Sequence, residues 1–244
     1  MNQELIRLNK YISNSGFCSR RRADEWILEG KVTVNGVVAE NGMKVSDADV
    51  VMVNGTMIKP VCEKKMVAFY KPKGYACTAH RGDSSSIYRH FDIPHELKYV
   101  GRLDKDSEGL LLLTNDGDLC NKVAKARNQH EKEYIVWVNK TVDANFVKGM
   151  SEGVLIYDKN KECERKTNPC KVKKISERCF SIILTQGMNR QIRRMCEVFG
   201  YRVTKLKRIR VMNITLGEHE AGELWEIDYD VMQEFRKALK KDNE

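Results

Sequence analysis

The sequence predicts an α+β protein of two domains, with a small domain of helices and short strands ahead of a larger one whose mainly antiparallel mixed sheet is flanked by helices. Three observations predict it. At 244 residues the chain is long for one ordinary domain and comfortable for a small one followed by a larger one. Hydrophobic residues make up 41% and charged residues 32%, enough apolar material for a core and unlike a disordered chain. Beyond residue 66, strand and helix patterns mix irregularly, without the βα alternation that builds a parallel sheet.

The small domain is expected over residues 1–60. Leu5, Leu8 and Ile12 have helical spacing, and Gly16 ends that element. Ser19 can cap a second helix whose apolar residues Ala23, Trp26 and Ile27 share a face, with Gly30 as its stop. Val32 to Val34 and Val37-Val38 flank Asn35-Gly36, and the strand run Val50 to Val53 leads into Asn54-Gly55; both dipeptides favour two-residue hairpin turns. The stretch RLNKYISNSGFCSRRRADEWILEGKVTVNG, residues 7–36, resembles the S4 RNA-binding domain, which presents a basic surface to structured RNA. Arg20, Arg21 and Arg22 stand in the first turn of the second helix, where positive charge opposes the helix dipole and a phosphate would relieve the conflict.

A linker is expected at 61–66, after Pro60 and through the Glu63, Lys64, Lys65 cluster, and the larger domain over 67–244. That domain opens on a strand from Val67 to Tyr70, followed by Lys71-Pro72-Lys73-Gly74, whose Pro and Gly call for a turn. Its most informative stretch is GRLDKDSEGLLLLTNDGDL, residues 101–119. Leu110 to Leu113 form a continuous apolar run between turn signals and read as a strand buried on both faces. Asp104 precedes it in a loop, where a rigid strand can hold an exposed carboxylate in place.

G-R-L-D, Ser three residues on, then G-L-L-L-x-T-x-D-G resembles the catalytic signature of the pseudouridine synthases related to RsuA, a bacterial rRNA-modifying family. Gly101, Arg102, Leu103, Asp104, Ser107, Gly109, Leu110, Leu111, Leu112, Thr114, Asp116 and Gly117 all match. The resemblance implies that Asp104 is the catalytic carboxylate and that Arg102 enters the space left by a flipped-out base. Further on, Lys132-Glu133-Tyr134 leads into the alternating strand Ile135 to Val138 and resembles the family's K-x-Y motif. It implies Tyr134 stacked on the target uracil, with Lys132 beside it on the RNA. The segment TQGMNRQIRRMCEVFGYRVTKLKRIRV, residues 185–211, carries Ile192, Met195, Cys196 and Phe199 at helical spacing with Gly200 as the stop. Its Q-I-R match implies that Arg193 faces Asp104, holding the carboxylate ionised and oriented. Arg190 and Arg194 are candidates for phosphate contacts, and Leu206 matches the apolar wall of the uracil pocket.

Charge supports this reading. The formal charge is +9, and residues 161–210 hold fifteen Lys/Arg against four Asp/Glu, so one segment carries more than the whole net value. The resemblance implies structured RNA as the substrate, 23S rRNA first, with an anticodon-loop tRNA uridine beside it or in its place. Pseudouridine formation breaks the bond from ribose C1′ to uracil N1, turns the base and joins C1′ to C5, with no redox change and no net hydrolysis. It calls for a carboxylate near the anomeric centre and a pocket that retains the freed base. Three routes fit: the carboxylate bonds to the sugar, adds to the base, or assists loss of a ribose proton. The target must also leave its stack.

No metal or organic cofactor is implied. The eight cysteines contain no C-x-x-C pair, and HExxH zinc chemistry fails because position 134 is Tyr. A metal-dependent nuclease would have to recruit Asp104, Asp106, Asp116 and Asp118 from one turn-rich stretch that is better read as solvated. A non-catalytic S4-type RNA-binding or ribosome-assembly factor would have no use for Asp104, Tyr134 and Arg193 together. The first residues lack the apolar run of a signal peptide, and no segment approaches a membrane span. A monomer in the reducing cytoplasm, without disulfides, is expected.

Overall fold

A computed structural model of the chain describes residues 5–60, 63–80, 82–94, 96–124, 129–158 and 162–241. Val61 and Cys62, the first residues of the expected linker, lie outside the described residues. The chain divides into two compact units. The first takes in Met1–Met66 with Pro94–Lys98 and Thr114–Gly117, and the second takes in the remainder.

In the first unit the helix pair and the hairpins follow the sequence pattern, with one difference at the start. Ile6–Arg7 is a short strand, β1, and the first helix, α1, spans Leu8–Asn14. Leu5 is exposed because the backbone before Leu8 is extended, and the Leu8 N–H is satisfied by Met43 O at 2.9 Å. Ser19 accepts a hydrogen bond from Arg22 N at 3.2 Å and so caps α2, Arg20–Leu28. The strands β2 (Val32–Val34), β3 (Val37–Val38), β4 (Lys44–Val45), β5 (Val51–Val53) and β6 (Thr56–Ile58) follow. Four of them form a sheet in the order β3-β2-β5-β6, while β4 pairs antiparallel with β1. Asn35-Gly36 and Asn54-Gly55 have positive φ at both positions, the turn geometry that matches the right-handed twist of the strands it joins. Leu8, Tyr11 and Ile12 of α1 and Ala23 and Ile27 of α2 pack with Val32, Val51 and Val53 into one buried cluster.

The second unit is built on a nine-stranded sheet. Its elements run β7 (Met66–Lys71), α3 (Ile87–His90), β8 (Lys98–Val100), β9 (Glu108–Thr114), α4 (Gly117–Ala124), β10 (Lys132–Val138), α5 (Ala144–Ser151), β11 (Leu155–Asp158), β12 (Cys163–Lys166), β13 (Lys171–Ser176), β14 (Cys179–Leu184), α6 (Gln191–Val198), β15 (Val203–Val211), β16 (Ile214–Thr215), β17 (Leu224–Glu226) and α7 (Tyr229–Lys241). The main path is β13-β14-β10-β15-β9-β7-β17, with β16 on β15 and β8 on β9; β11 and β12 form a separate hairpin. The pairings of β10 with β14 and β15 are antiparallel, and that of β15 with β9 is parallel, so the sheet is mixed. Phe146 and Met150 of α5 and Ile192, Met195 and Cys196 of α6 cover Val136, Val138, Phe180, Ile182 and Leu206 on one face.

Strand β9 lies deep in this sheet. Leu110, Leu111, Leu112 and Leu113 are each at most 1% exposed, which explains an unbroken apolar run with no polar alternation. Where β9 meets β15, Gly109 lies opposite Arg208, at φ +109. A Cβ there would fall 2.2 Å from Arg208 O and 2.7 Å from Arg208 N, closer than any side chain permits.

Gly109→Ala should therefore cost more than about 3 kcal/mol of stability. Gly187→Ala, whose added methyl would meet nothing within 4 Å, should change stability by less than about 0.5 kcal/mol. Urea denaturation of both variants checks this, and equal midpoints would mean the strands have room to part.

Candidate active site

The segment before β9 is pinned at two points. Leu103 is buried and its N–H approaches Cys77 Sγ at 3.5 Å, while Ser107 is buried at the other end. Between them a tight turn closes as Ser107 N donates to Asp104 O at 3.0 Å, and Gly74 N donates to Lys105 O at 2.7 Å. Asp104, half-buried, is thus held on a short, tethered turn at the rim of a cavity of about 240 Å³.

The strand wall of this cavity follows from side-chain alternation. Lys132 and Tyr134 stand two apart on β10, and Leu206 and Arg208 two apart on β15, with Tyr134 opposite Arg208 in the antiparallel register. A register irregularity between Glu133 and Tyr134 adjusts the aim of that wall. The loop before α6 adds Met188, Asn189 and Arg190, and the loop before β9 adds Arg102, which is exposed. The cavity thus brings together Asp104, Tyr134, Leu206, Arg102, Lys132 and Arg190.

Arg193 calls for a correction. The expected pair with Asp104 is replaced by a pair with Asp106. Arg193 Nη2 lies 3.3 Å from Asp106 Oδ2 and donates to Asp106 O at 3.0 Å, while Nη1 donates to Val203 O at 3.2 Å. Among the described residues the Asp104 carboxylate has no ion pair. The turn gives the reason: closing Asp104 O onto Ser107 N brings residue 106, two positions along, against the buried guanidinium. Arg190 meets the same carboxylate, with Nη1 at 3.1 Å from both oxygens. It precedes α6 in the left-handed region, φ +53. Arg194 is engaged by Tyr157 O and Asn189 Oδ1, both at 2.8 Å, and does not line the cavity.

In the first unit, Arg20 donates to Asn9 Oδ1 at 3.2 Å, and Arg22 pairs with Glu25 at 2.6 Å while lying over the Trp26 ring. Arg21 is exposed, with no partner among the described residues.

Two buried cations escaped the sequence reading. Lys71, assigned to a turn, is fully buried, and its Nζ donates to Pro72 O at 2.7 Å and Tyr75 O at 2.8 Å. Burial pushes its ammonium down to about 8, against the opposing pull of nearby acidic groups that include Asp104 and Asp106. Arg208 is 3% exposed; its Nε donates to Leu110 O at 2.7 Å, and its Nη2 is buried without a protein partner. The K-L-x-R spacing could have flagged Arg208, since it stands two residues from Leu206 on the same strand. Lys132, whose Nζ donates to His130 O at 3.0 Å, is pushed down to about 8 by burial and then by the Arg208 charge.

Comparison with known proteins places these features in context. Residues 65–198 match the family model described as RNA pseudouridylate synthase, and residues 6–51 match that of the S4 domain. The chain is 45% identical over 236 residues to the dual-specificity RNA pseudouridine synthase RluF of Escherichia coli K12, covering 96% of this chain and 79% of that protein. It is 36% identical over 230 residues to ribosomal large subunit pseudouridine synthase B of Bacillus subtilis 168, covering 91% of each. A crystal structure of pseudouridylate synthase superposes with a TM-score of 0.68 at 26% identity, covering 96% of this chain and 99% of that one.

The lowered Lys132 ammonium makes a testable prediction. Unfolding returns it to about 10.4, the ordinary lysine value, so between pH 8 and about 10 the unfolded chain binds more protons than the folded one. This group's contribution to stability therefore rises with pH across that window. Lys132→Met should raise stability at pH 7 and narrow its advantage over wild type as pH approaches 10, read from urea midpoints. A mutant advantage that stays constant with pH would show an ordinary, unshifted lysine.

Proposed function

Since this chain belongs to the RNA pseudouridylate synthase family and is a pseudouridine synthase with an S4 domain in front, we propose that it isomerises a uridine of 23S rRNA with Asp104 as the reacting carboxylate. The observation that carries the proposal is the cavity, where Asp104 on its tethered turn faces the same space as Tyr134 and Leu206. The reaction breaks C1′–N1 and forms C1′–C5, and the proton lost from C5 is balanced by one gained at N1. A freed uracil must stay in place while it turns, which suits a small pocket with an aromatic face and an apolar wall. Arg102, exposed at the rim, would fill the gap that the flipped base leaves in the RNA. Lys132 and Arg208 would stabilise negative charge on the base as the C1′–N1 bond breaks.

The Bacillus relative is named for the large ribosomal subunit, which supports 23S rRNA as the target. The Escherichia relative is named for dual specificity, which supports a second RNA substrate; an anticodon-loop tRNA uridine is our candidate. We propose that the protein works in the cytoplasm, where a ribosomal RNA substrate would be met, and as a monomer, since one chain carries both the S4 domain and the synthase.

Asp104→Asn should abolish tritium release from RNA labelled at uridine C5, while RNA affinity stays within about twofold, since one charge is lost among many. Turnover by this variant, with deamidation excluded, would remove Asp104 from the role. The arginines of α2 should act unequally. Arg21→Ala should lower the slope of log K against log salt by roughly 0.7–0.9, the loss of one phosphate contact, and Arg22→Ala by less because Glu25 already holds that guanidinium. Equal slopes for both variants and wild type would make this run a solvated face.

A further inference from the structure

We propose that Asp106 is a positioning residue for Asp104, tying the turn that carries the carboxylate to the chain around α6. The proposal rests on the reading of Asp104 as the reacting group. Neutral backbone hydrogen bonds, Ser107 N to Asp104 O and Gly74 N to Lys105 O, hold the turn, and the ties made by the Asp106 carboxylate are its ionic ones among the described residues. Arg190 approaches both oxygens of the Asp106 carboxylate at 3.1 Å, and Arg193 reaches one of them at 3.3 Å. Arg193 also takes the Asp106 carbonyl at 3.0 Å, so one guanidinium grips both the main chain and the side chain of residue 106. Arg193 is itself fixed: it is 7% exposed, belongs to a helix whose face is in the core, and donates to Val203 O at the start of β15. Position is therefore transmitted from the core through Arg193 to Asp106, and over two residues to Asp104.

Charge sign argues against other uses of this carboxylate. Two guanidinium groups within 3.3 Å satisfy it and oppose a cation, so Asp106 is not a metal ligand. It sits beside the reacting group without lining the cavity, so it does not touch the base. What the pairing does is remove freedom from a turn that would otherwise be held by neutral backbone hydrogen bonds. Misplacing a reacting group by about 1 Å can cost up to about 100-fold in rate.

The test is single-turnover pseudouridine formation by the full chain at saturating RNA, with RNA affinity and the melting midpoint measured on the same samples. Asp106→Asn should lower the rate by about 10- to 100-fold. RNA affinity should be unchanged or up to a fewfold tighter, because a carboxylate is lost and Arg190 is released. Asp106→Glu should recover part of the rate. In an Arg193→Met background, Asp106→Asn should add little further loss, since both changes break one link. A wild-type rate for Asp106→Asn, a loss no greater than its unfolded fraction, or full additivity with Arg193→Met would each overturn the proposal. Asp104→Asn run in parallel separates the two readings. If it keeps turning over, the assignment of Asp104 fails; if it is dead while Asp106→Asn is unimpaired, only the positioning role fails.

Discussion

The second unit depends on how closely β9 approaches β15. At Gly109 the missing side chain lets the backbone of Arg208 come to a distance that no Cβ would tolerate, and this contact is one of the two paired positions, beside Glu108 opposite Lys207, that join the strands in parallel. The same junction is closed from the other side, because the Arg208 guanidinium reaches over to Leu110 O. Four leucines then anchor β9 in the core, at roughly 1.5–3 kcal/mol for each fully buried side chain. The loop bearing Asp104 enters this strand, while Leu206 and Arg208 lie on its neighbour. One backbone approach thus sets the distance between the proposed reacting carboxylate and the wall that faces it.

Charge around the cavity is arranged with a consistent bias. Lys71, Lys132 and Arg208 are met chiefly by backbone carbonyls, of Pro72, Tyr75, His130 and Leu110. A carbonyl dipole satisfies a donor without cancelling its charge, so positive potential persists in a region where low polarisability strengthens it. The lowered ammonium groups of Lys71 and Lys132 are the cost of that arrangement. It is a poor design for stability alone and a good one for a polyanionic RNA substrate. The fifteen basic residues between 161 and 210 extend the same bias along the chain.

Local rules made much of the fold legible. The Ser19 cap, the two Asn-Gly turns and the spacing of Ile192, Met195 and Cys196 depend on neighbours in sequence, and each gave the observed element. The apolar run at Leu110 announced a central strand for the same reason. Leu5 misled because helical spacing says nothing about a strand partner, and Met43 and Lys44 fix the backbone before Leu8. Six of the residues named from sequence, Arg102, Asp104, Lys132, Tyr134, Arg190 and Leu206, do line the candidate cavity, but the pairings around it were not legible. Whether Arg193 meets residue 104 or 106 turns on one hydrogen bond across a tight turn, far from Arg193 in sequence. Lys71 stayed hidden because a lysine beside Pro and Gly looks solvated until the carbonyls that enclose it are in view.

The arginine pair on Asp106 also shows which half of a charge cluster matters. Arg190 and Asp106 are each about two-fifths exposed at the side chain, and an ion pair in such a setting contributes little, in the range of about 0–1 kcal/mol. Arg193 differs because its side chain is 9% exposed and its Nε is buried without a partner, so the neighbouring carboxylate compensates a charge that water cannot reach. The energy of the cluster therefore resides in the buried link, and the half-exposed one is free to exchange. Arg190 lines the cavity and can turn to a phosphate with small loss, whereas Arg193 cannot leave Asp106 without stranding its charge. A single carboxylate can thus keep a rigid hold on the turn through one arginine while lending the other to the substrate.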